Sequence, residues 1–263
     1  MSPQQFIDQM GRELIIEYPP RRIISLVPSQ TELLFDLGLD NEIVGITKFC
    51  IHPDEKFRST AKIGGTKKLN LQKIRGLKPD LIIGNKEENE RAEIEVLMSE
   101  FPVWMSDIHV LADAIEMINS IGSLTGRSQQ ANMISSKIME GFRKLGPAGD
   151  KKPTVAYFIW KDPCMVAGRG TFINDILEQA GFDNFTSLER YPEIHTEAAS
   201  GITPDLVFLS SEPYPFKDVH LKEFEEMYPG AKVMIVDGEM FSWYGSRLLH
   251  TPSYLRTLAS QIN

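Results

Sequence analysis

Arg22-Ile-Ile-Ser-Leu-Val-Pro-Ser-Gln-Thr-Glu-Leu-Leu-Phe-Asp-Leu-Gly38 is the stretch whose reading decides the fold. Arg22 to Val27 has the apolar, β-branched character of a strand. Pro28-Ser29 supplies a turn and cap, and Thr31 to Leu37 has helical spacing and stops at Gly38. The same step recurs outward from it. A short strand, Ile43 to Ile46, leads into a loop carrying Phe49, Cys50, His52 and Pro53. After Gly64-Gly65 come a helix from Asn70 to Gly76, a strand from Leu81 to Ile83, a polar helix from about Glu87 to Glu100, and a strand from Pro102 to Met105. Strands alternating with helices predict a parallel sheet.

From Val110 to about Leu145 helical periodicity is interrupted only near Gly122 to Arg127. That is long beside the ~11 residues of an ordinary helix, so it is read as two helices, the second joining two lobes. Pro147 to Pro153 is a turn-rich break, and Thr154 to Trp160 opens a second half as a strand. The expected organisation is an N-terminal α/β lobe over 1–127, a bridging helix over 128–146 and a C-terminal α/β lobe over 147–263. The second half continues with a helix from Phe172 to Ala180, a short helix near Glu197, the strands Leu206 to Leu209 and Val233 to Val236, a loop from Asp237 to Arg247, and a last helix. Leu77-Lys-Pro-Asp-Leu-Ile-Ile83 and Ile202-Thr-Pro-Asp-Leu-Val-Phe208 echo each other, each placing Pro-Asp before an apolar strand.

A chain of 263 residues, 42% hydrophobic and 24% charged, has room for two such lobes. A net charge of −8, with both signs interspersed, argues against a nucleic-acid partner, which needs clustered Lys and Arg. The two cysteines, Cys50 and Cys164, fall in different halves without metal-site spacing. Met1 to Gly11 lacks the basic start and apolar run of a signal peptide, so as written the chain carries no export signal. No apolar run approaches the roughly 20 residues that insert in a membrane.

Catalytic signatures are missing: there is no GxSxG, HExxH or GxxxxGK[ST]. Gly168-Arg-Gly170 lacks the third glycine of a dinucleotide loop, since Ile173 stands there, and reads as a tight turn before a helix. His52 and Cys50 offer an imidazole and a thiol to a metal centre, but two groups on one loop do not close a site. A wall-lining or structural role and direct ligation both stay open. His195 and His220 read as surface or helix-end residues, and the acidic run through Glu87, Glu88, Glu90, Glu93 and Glu95 as a solvated helix face.

The aromatic loops carry the functional signal. Phe241, Trp243 and Tyr244 crowd the loop after the last strand, with Arg247 beyond them. In parallel α/β sheets ligands sit outside the carboxyl ends of strands, where this loop emerges. Large rings with polar tips suit a wide, partly apolar ligand; the alternative is that they plug the core under the last helix. Arg247 is equally a grip on a ligand or half of a buried ion pair. The loop from Trp160 through Met165 to Gly168, and the loop from Ser211 through Tyr214 to Phe216, leave strands in the same way.

With these residues in hand, the chain resembles the periplasmic-binding-protein family that serves cobalamin, haem and iron-siderophore ABC importers, above all its cobalamin-binding branch. The likeness is carried by Arg22 to Glu32, Leu69 to Ile74 with Leu77 to Leu81, Phe172 to Leu177, and Tyr191 to Ile194 through Glu197 to Pro204-Asp205. It implies two Rossmann-like α/β lobes joined by one long rigid helix, with the ligand in a cleft between them. No intrinsic cofactor is implied; the bound ligand would be cobalamin or a ferric chelate, the chain a monomer, and its protein partner a membrane permease. In the family a carboxylate on each lobe meets permease arginines. Glu197 matches one, but Gln72 stands at the other. Where relatives place first-lobe aromatic walls this chain has Thr66 and Asn85, while Tyr191 and Phe241 match second-lobe aromatic positions. Two alternatives to the importer receptor remain: a cytosolic chelate-binding or sensing module on the same fold, and a chelate-modifying enzyme using His52, Cys50 or Glu239.

Overall fold

A computed structural model describes residues 2–146, 152–194 and 203–262. The chain opens on an element the sequence reading does not anticipate, an antiparallel hairpin of β1 (Ser2–Ile7) and β2 (Glu13–Tyr18). Its turn is organised by Asp8, whose carboxylate accepts from the backbone N–H groups of Met10 and Arg12, both at 2.9 Å, and from Arg12 Nε at 3.0 Å. Alternation fails to reveal it because Ile7 and Ile15 sit on its exposed face.

The decisive stretch folds as read, with shifted borders. β3 (Ile23–Ser25) is wholly buried, and α1 (Pro28–Asp36) starts three residues earlier than expected. Pro28 takes the first helical position, where its fixed φ fits and its missing N–H costs nothing. Next come β4 (Ile43–Ile46) and α2 (Asp54–Ser59), then the small hairpin of β5 (Gly64–Gly65) and β6 (Lys68–Leu69). α3 (Leu71–Leu77) is capped by the Asn70 side chain, which accepts from Lys73 N at 2.9 Å. β7 (Leu81–Asn85), α4 (Arg91–Met98) and β8 (Val103–Ser106) complete a four-stranded parallel sheet of order β4-β3-β7-β8. The predicted helical stretch is indeed two helices, α5 (Leu111–Leu124) and α6 (Ser128–Arg143), parted at Gly126 with φ +72°.

The second half holds β9 (Thr154–Trp160), β10 (Met165–Val166), α7 (Phe172–Gln179), β11 (Asp183–Asn184), β12 (Leu206–Ser210), α8 (Leu221–Met227), β13 (Lys232–Val236), α9 (Glu239–Ser242) and α10 (Thr251–Ile262). β9, β12 and β13 run parallel; β10 adds antiparallel to the end of β9 and β11 parallel to its start. The helix expected near Glu197 and the break at 147 lie outside the described residues.

The Pro-Asp echo is a shared piece of construction. Asp80, just before β7, accepts from the backbone N–H groups of Arg21 and Arg22, each at 2.8 Å, and so pins the start of the neighbouring β3. Asp205, just before β12, accepts from Thr154 N at 2.8 Å and Thr154 Oγ1 at 2.9 Å, pinning the start of the neighbouring β9. Each carboxylate satisfies donors at the mouth of a parallel pair, where the ladder leaves them open.

The chain divides into two compact units. One comprises Met1–Ile108, Ala112–Ile138 and Tyr244–Arg247; the other comprises His109–Leu111, Met139–Trp243 and Leu248–Asn263. The short return of the chain into the first unit is fixed by contact. A Cβ on Gly245 would overlap the Ser29 carbonyl oxygen and lie 3.4 Å from Leu33 Cβ, so only glycine fits against α1. Gly245→Ala is therefore expected to lower stability by about 1–3 kcal/mol, the usual cost of overpacking, measured by urea unfolding; an unchanged midpoint would show that this segment is not seated on α1. Among the described residues no helix is long and apolar enough to cross a membrane.

Candidate functional site

In the first unit, β3, β4 and β7 end beside one another, and the loops that follow carry the predicted residues. Phe49 is 49% exposed. Its ring lies across Gly65, where a Cβ would approach Cε2 at 3.1 Å, and Lys48 Nζ sits 4.9 Å from the ring centre. Thr66, the next residue, is part-exposed, as is His52.

Cys50 is wholly buried, with Thr31 Oγ1 and Thr47 Oγ1 each 3.1 Å from Sγ. Burial pushes its thiol up from the ordinary range, which keeps it neutral and a poor nucleophile or ligand. The expectation of a ligand-contacting Cys50 is corrected to a core thiol. Asn85 is corrected likewise. It is buried, its Oδ1 accepts from the N–H groups of Glu87 at 2.8 Å and Glu88 at 3.0 Å, and its Nδ2 donates to Ser106 Oγ at 3.0 Å. It shapes the loop after β7 and presents nothing to a ligand. Cys50 and Cys164 are both free thiols, one in each unit.

The loop thus shaped holds Glu88, whose carboxylate accepts the Tyr244 hydroxyl. Beside it, Arg247 Nε donates to Glu32 Oε2 at 3.0 Å while Nη2 lies 2.7 Å from Oε1. Burial raises the Glu32 carboxyl, and the guanidinium opposes that rise. Burial and the nearby Glu88 charge push the Tyr244 hydroxyl well above its ordinary range. Tyr244, 6% exposed, and Arg247 are therefore corrected from ligand grips to fasteners of the returning chain. Glu88 is corrected too: it is half-buried, precedes α4 and accepts the Tyr244 hydroxyl, so it is not part of a solvated helix face.

In the second unit Phe241 is wholly enclosed, its ring centre 5.0 Å from Tyr157, 6.2 Å from Phe208 and 6.1 Å from Tyr254. α9 turns the chain so that Phe241 plugs the sheet under α10, the core alternative weighed from the sequence. Trp243, 6% exposed, is also enclosed, and its Nε1 donates to Glu212 Oε1 at 2.8 Å. Both are corrected from ligand wall to interior. Glu212 also accepts from Ser242 Oγ at 2.7 Å. Burial raises its carboxyl above the usual range in spite of these two donors. A carboxyl raised on folding adds stability below its unfolded pKa and loses that stability as pH climbs through the folded value. Glu212→Gln keeps an acceptor and removes the penalised charge. The stability difference, variant minus wild type, is expected to be more favourable at pH 7 than near pH 4.5, the ordinary value; parallel denaturation curves across that range would contradict the assignment.

The remaining rings lie on the other two loops, Trp160 exposed and Tyr214 half-buried. Trp160, 40% exposed at the carboxyl end of β9, meets Tyr214 from the loop after β12, with ring centres 5.6 Å apart at 69°. Met165 lies opposite Trp160 in the ladder and also bridges to Glu193. That bridge brings in the segment of Tyr191, whose ring carries the Arg190 guanidinium at 5.5 Å. Trp160 thus meets Tyr214 through its ring and Met165 through the ladder, with the chain segment of Tyr191 next to Met165. His220 stacks against Tyr214 at 5.6 Å and accepts from Lys217 N at 2.9 Å, at the start of α8. Gln72 is exposed on α3, while Glu197 and His195 lie outside the described residues. Among the described residues no group of three or more His, Cys, Asp and Glu is placed to hold a metal ion.

Sequence reasoning missed Glu32, Glu88 and Glu212 as organisers of the aromatic segment. Their one signal is that acidic residues accompany a Tyr, a Trp and an Arg that need partners when buried.

Two units of parallel α/β sheet, each with exposed side chains on loops after its strands, define an α/β binding protein of the two-unit kind. The chain belongs to the periplasmic binding protein family, whose model matches residues 23–232. It is 22% identical over 237 residues to the vitamin B12-binding protein of Pectobacterium carotovorum, covering 88% of this chain and 85% of that one. It is 23% identical over 216 residues to an uncharacterized ABC transporter substrate-binding lipoprotein of Bacillus subtilis, covering 78% and 68%. Among solved structures, the periplasmic vitamin B12 binding protein BtuF of Vibrio cholerae superposes with a TM-score of 0.79 at 18% identity, covering 93% of this chain and 98% of that one.

Proposed function

We infer that the chain is the substrate-binding protein of an ABC-type importer and captures a bulky metal chelate, a corrinoid first among the candidates, without changing it chemically. One observation carries the reading: the exposed Trp160 and the half-buried Tyr214 form an aromatic pair beyond the carboxyl ends of parallel strands, the place where ligands bind in such sheets. Flat side chains of this kind offer a wide ligand apolar contact at little conformational cost. Phe49, with Thr66 beside it, is the corresponding exposed ring of the first unit.

Family membership and the relatives named vitamin B12-binding support the ligand class; the lipoprotein relative named for ABC transport supports the importer. A permease is then the protein partner, with Gln72 and Glu197 as the positions that match the family's docking carboxylates. The enzyme alternative loses its thiol, because Cys50 is buried and neutral. Incubation with one equivalent of cyanocobalamin, followed by recovery and mass spectrometry, tests the absence of chemistry. The expected result is one ligand per chain, returned intact. A modified corrin, or catalytic consumption of excess ligand, would overturn the reading.

A further inference from the structure

A cavity in the first unit is lined by none of the aromatic residues. It occupies about 490 Å³ between the turn of the β1–β2 hairpin, α4 and β8, within the ~300–1,000 Å³ usual for small-molecule sites. Met10 and Arg12 line it from the hairpin, ahead of residue 23, where the family match begins. The cavity is therefore built partly from an element outside the family's matched segment.

Its floor is apolar. Ile94 and Met105 are buried, and Met98 and Met10 form the lip. Unbranched thioether side chains adapt to ligands of varied shape. Its rim carries three cations, Arg12, Lys86 and Arg91, each facing a carboxylate: Asp8, Asp107 at 2.6 Å and Glu95 at 2.7 Å.

Arg12 is held ready. Asp8, almost fully buried, binds Arg12 Nε at 3.0 Å and Nη2 at 2.5 Å, and Gln9 N donates to Met105 O at 3.1 Å, anchoring the turn on β8. Arg12 Nη1 then points at Met98 Sδ, 2.8 Å away. A thioether is a weak acceptor, and an oxyanion entering the cavity is a far better partner for that N–H.

We propose that this cavity is a second ligand site, selective for a small amphiphile with an apolar chain and one anionic head, a medium-chain carboxylate being the simplest member. The head accepts from Arg12 Nη1, with Lys86 and Arg91 shared with their own carboxylates at the rim, and the chain lies on Ile94, Met98 and Met105.

Calorimetric titration of the full chain with sodium octanoate and with 1-octanol tests this. Octanoate is expected to saturate at one per chain with a Kd below about 1 mM, and octanol to bind at least about tenfold more weakly, the worth of one charge-assisted contact. Arg91→Glu and Met10→Glu, both at exposed positions, should each weaken octanoate about tenfold or more, weaken octanol less than octanoate, and leave cyanocobalamin binding unchanged. Thermal unfolding would confirm that both variants fold. No saturation by octanoate, equal affinity for the alcohol, or octanoate affinity untouched in both variants would each overturn the proposal. None of these outcomes bears on the chelate site, which cyanocobalamin reads separately.

Discussion

The double substitution Trp160→Ala, Tyr214→Ala is expected to weaken corrinoid binding about thirtyfold or more, with a stability loss that comes from Tyr214 and not from Trp160. Aromatic anchors at the centre of a binding surface are worth about 2 kcal/mol or more on truncation, and every 1.4 kcal/mol is about tenfold in affinity. The two rings touch each other at 5.6 Å, so their losses should be non-additive. Trp160 is 40% exposed and its removal alone should stay within about 0.5 kcal/mol of stability, whereas Tyr214 packs on the core and its ring centre lies 4.7 Å from Phe216, so its truncation costs more. Equilibrium titration of a corrinoid into the double variant and both singles, beside urea denaturation, separates the two effects. A double variant that binds like the wild type would remove these rings from the site.

Phe241→Ala is expected to do the reverse, lowering stability by about 3–5 kcal/mol, the range for deleting a buried phenylalanine. Its ring is enclosed by Tyr157, Phe208 and Tyr254, and a rigid aromatic cluster cannot collapse to fill the void. Because the ring faces its own core, corrinoid affinity measured on the folded fraction should stay near that of the wild type. A small stability loss with a large affinity loss would return Phe241 to the ligand wall.

These two substitutions mark where the sequence could be read and where it could not. The strand-helix alternation was legible because burial of both faces of a parallel sheet leaves continuous apolar runs such as Leu81–Ile83 and Leu206–Leu209, and the Pro-Asp clasp was legible because a turn chemistry recurs before each. The N-terminal hairpin was not, since Ile7 and Ile15 face outward and blur its alternation. Whether an aromatic after a strand points to a ligand or to the core depends on a single local turn, and α9 supplies one that turns Phe241 inward. Trp160 and Phe241 look alike as letters after strands. Only packing separates them. The buried carboxylates were misread for a related reason: Glu88 sits in a run of charges that resembles a solvated face, and its partner Tyr244 is 156 residues away.

The account's central claim is tested most directly by a visible-absorbance titration of the purified chain with cyanocobalamin, cobinamide, haem and a ferric siderophore, each reporting through its own chromophore. The prediction is saturation at one per chain by a corrinoid with a Kd tighter than about 1 μM, corresponding to about −8 kcal/mol. If none of the four chelates binds more tightly than that, the chain is not a receptor for this class of ligand.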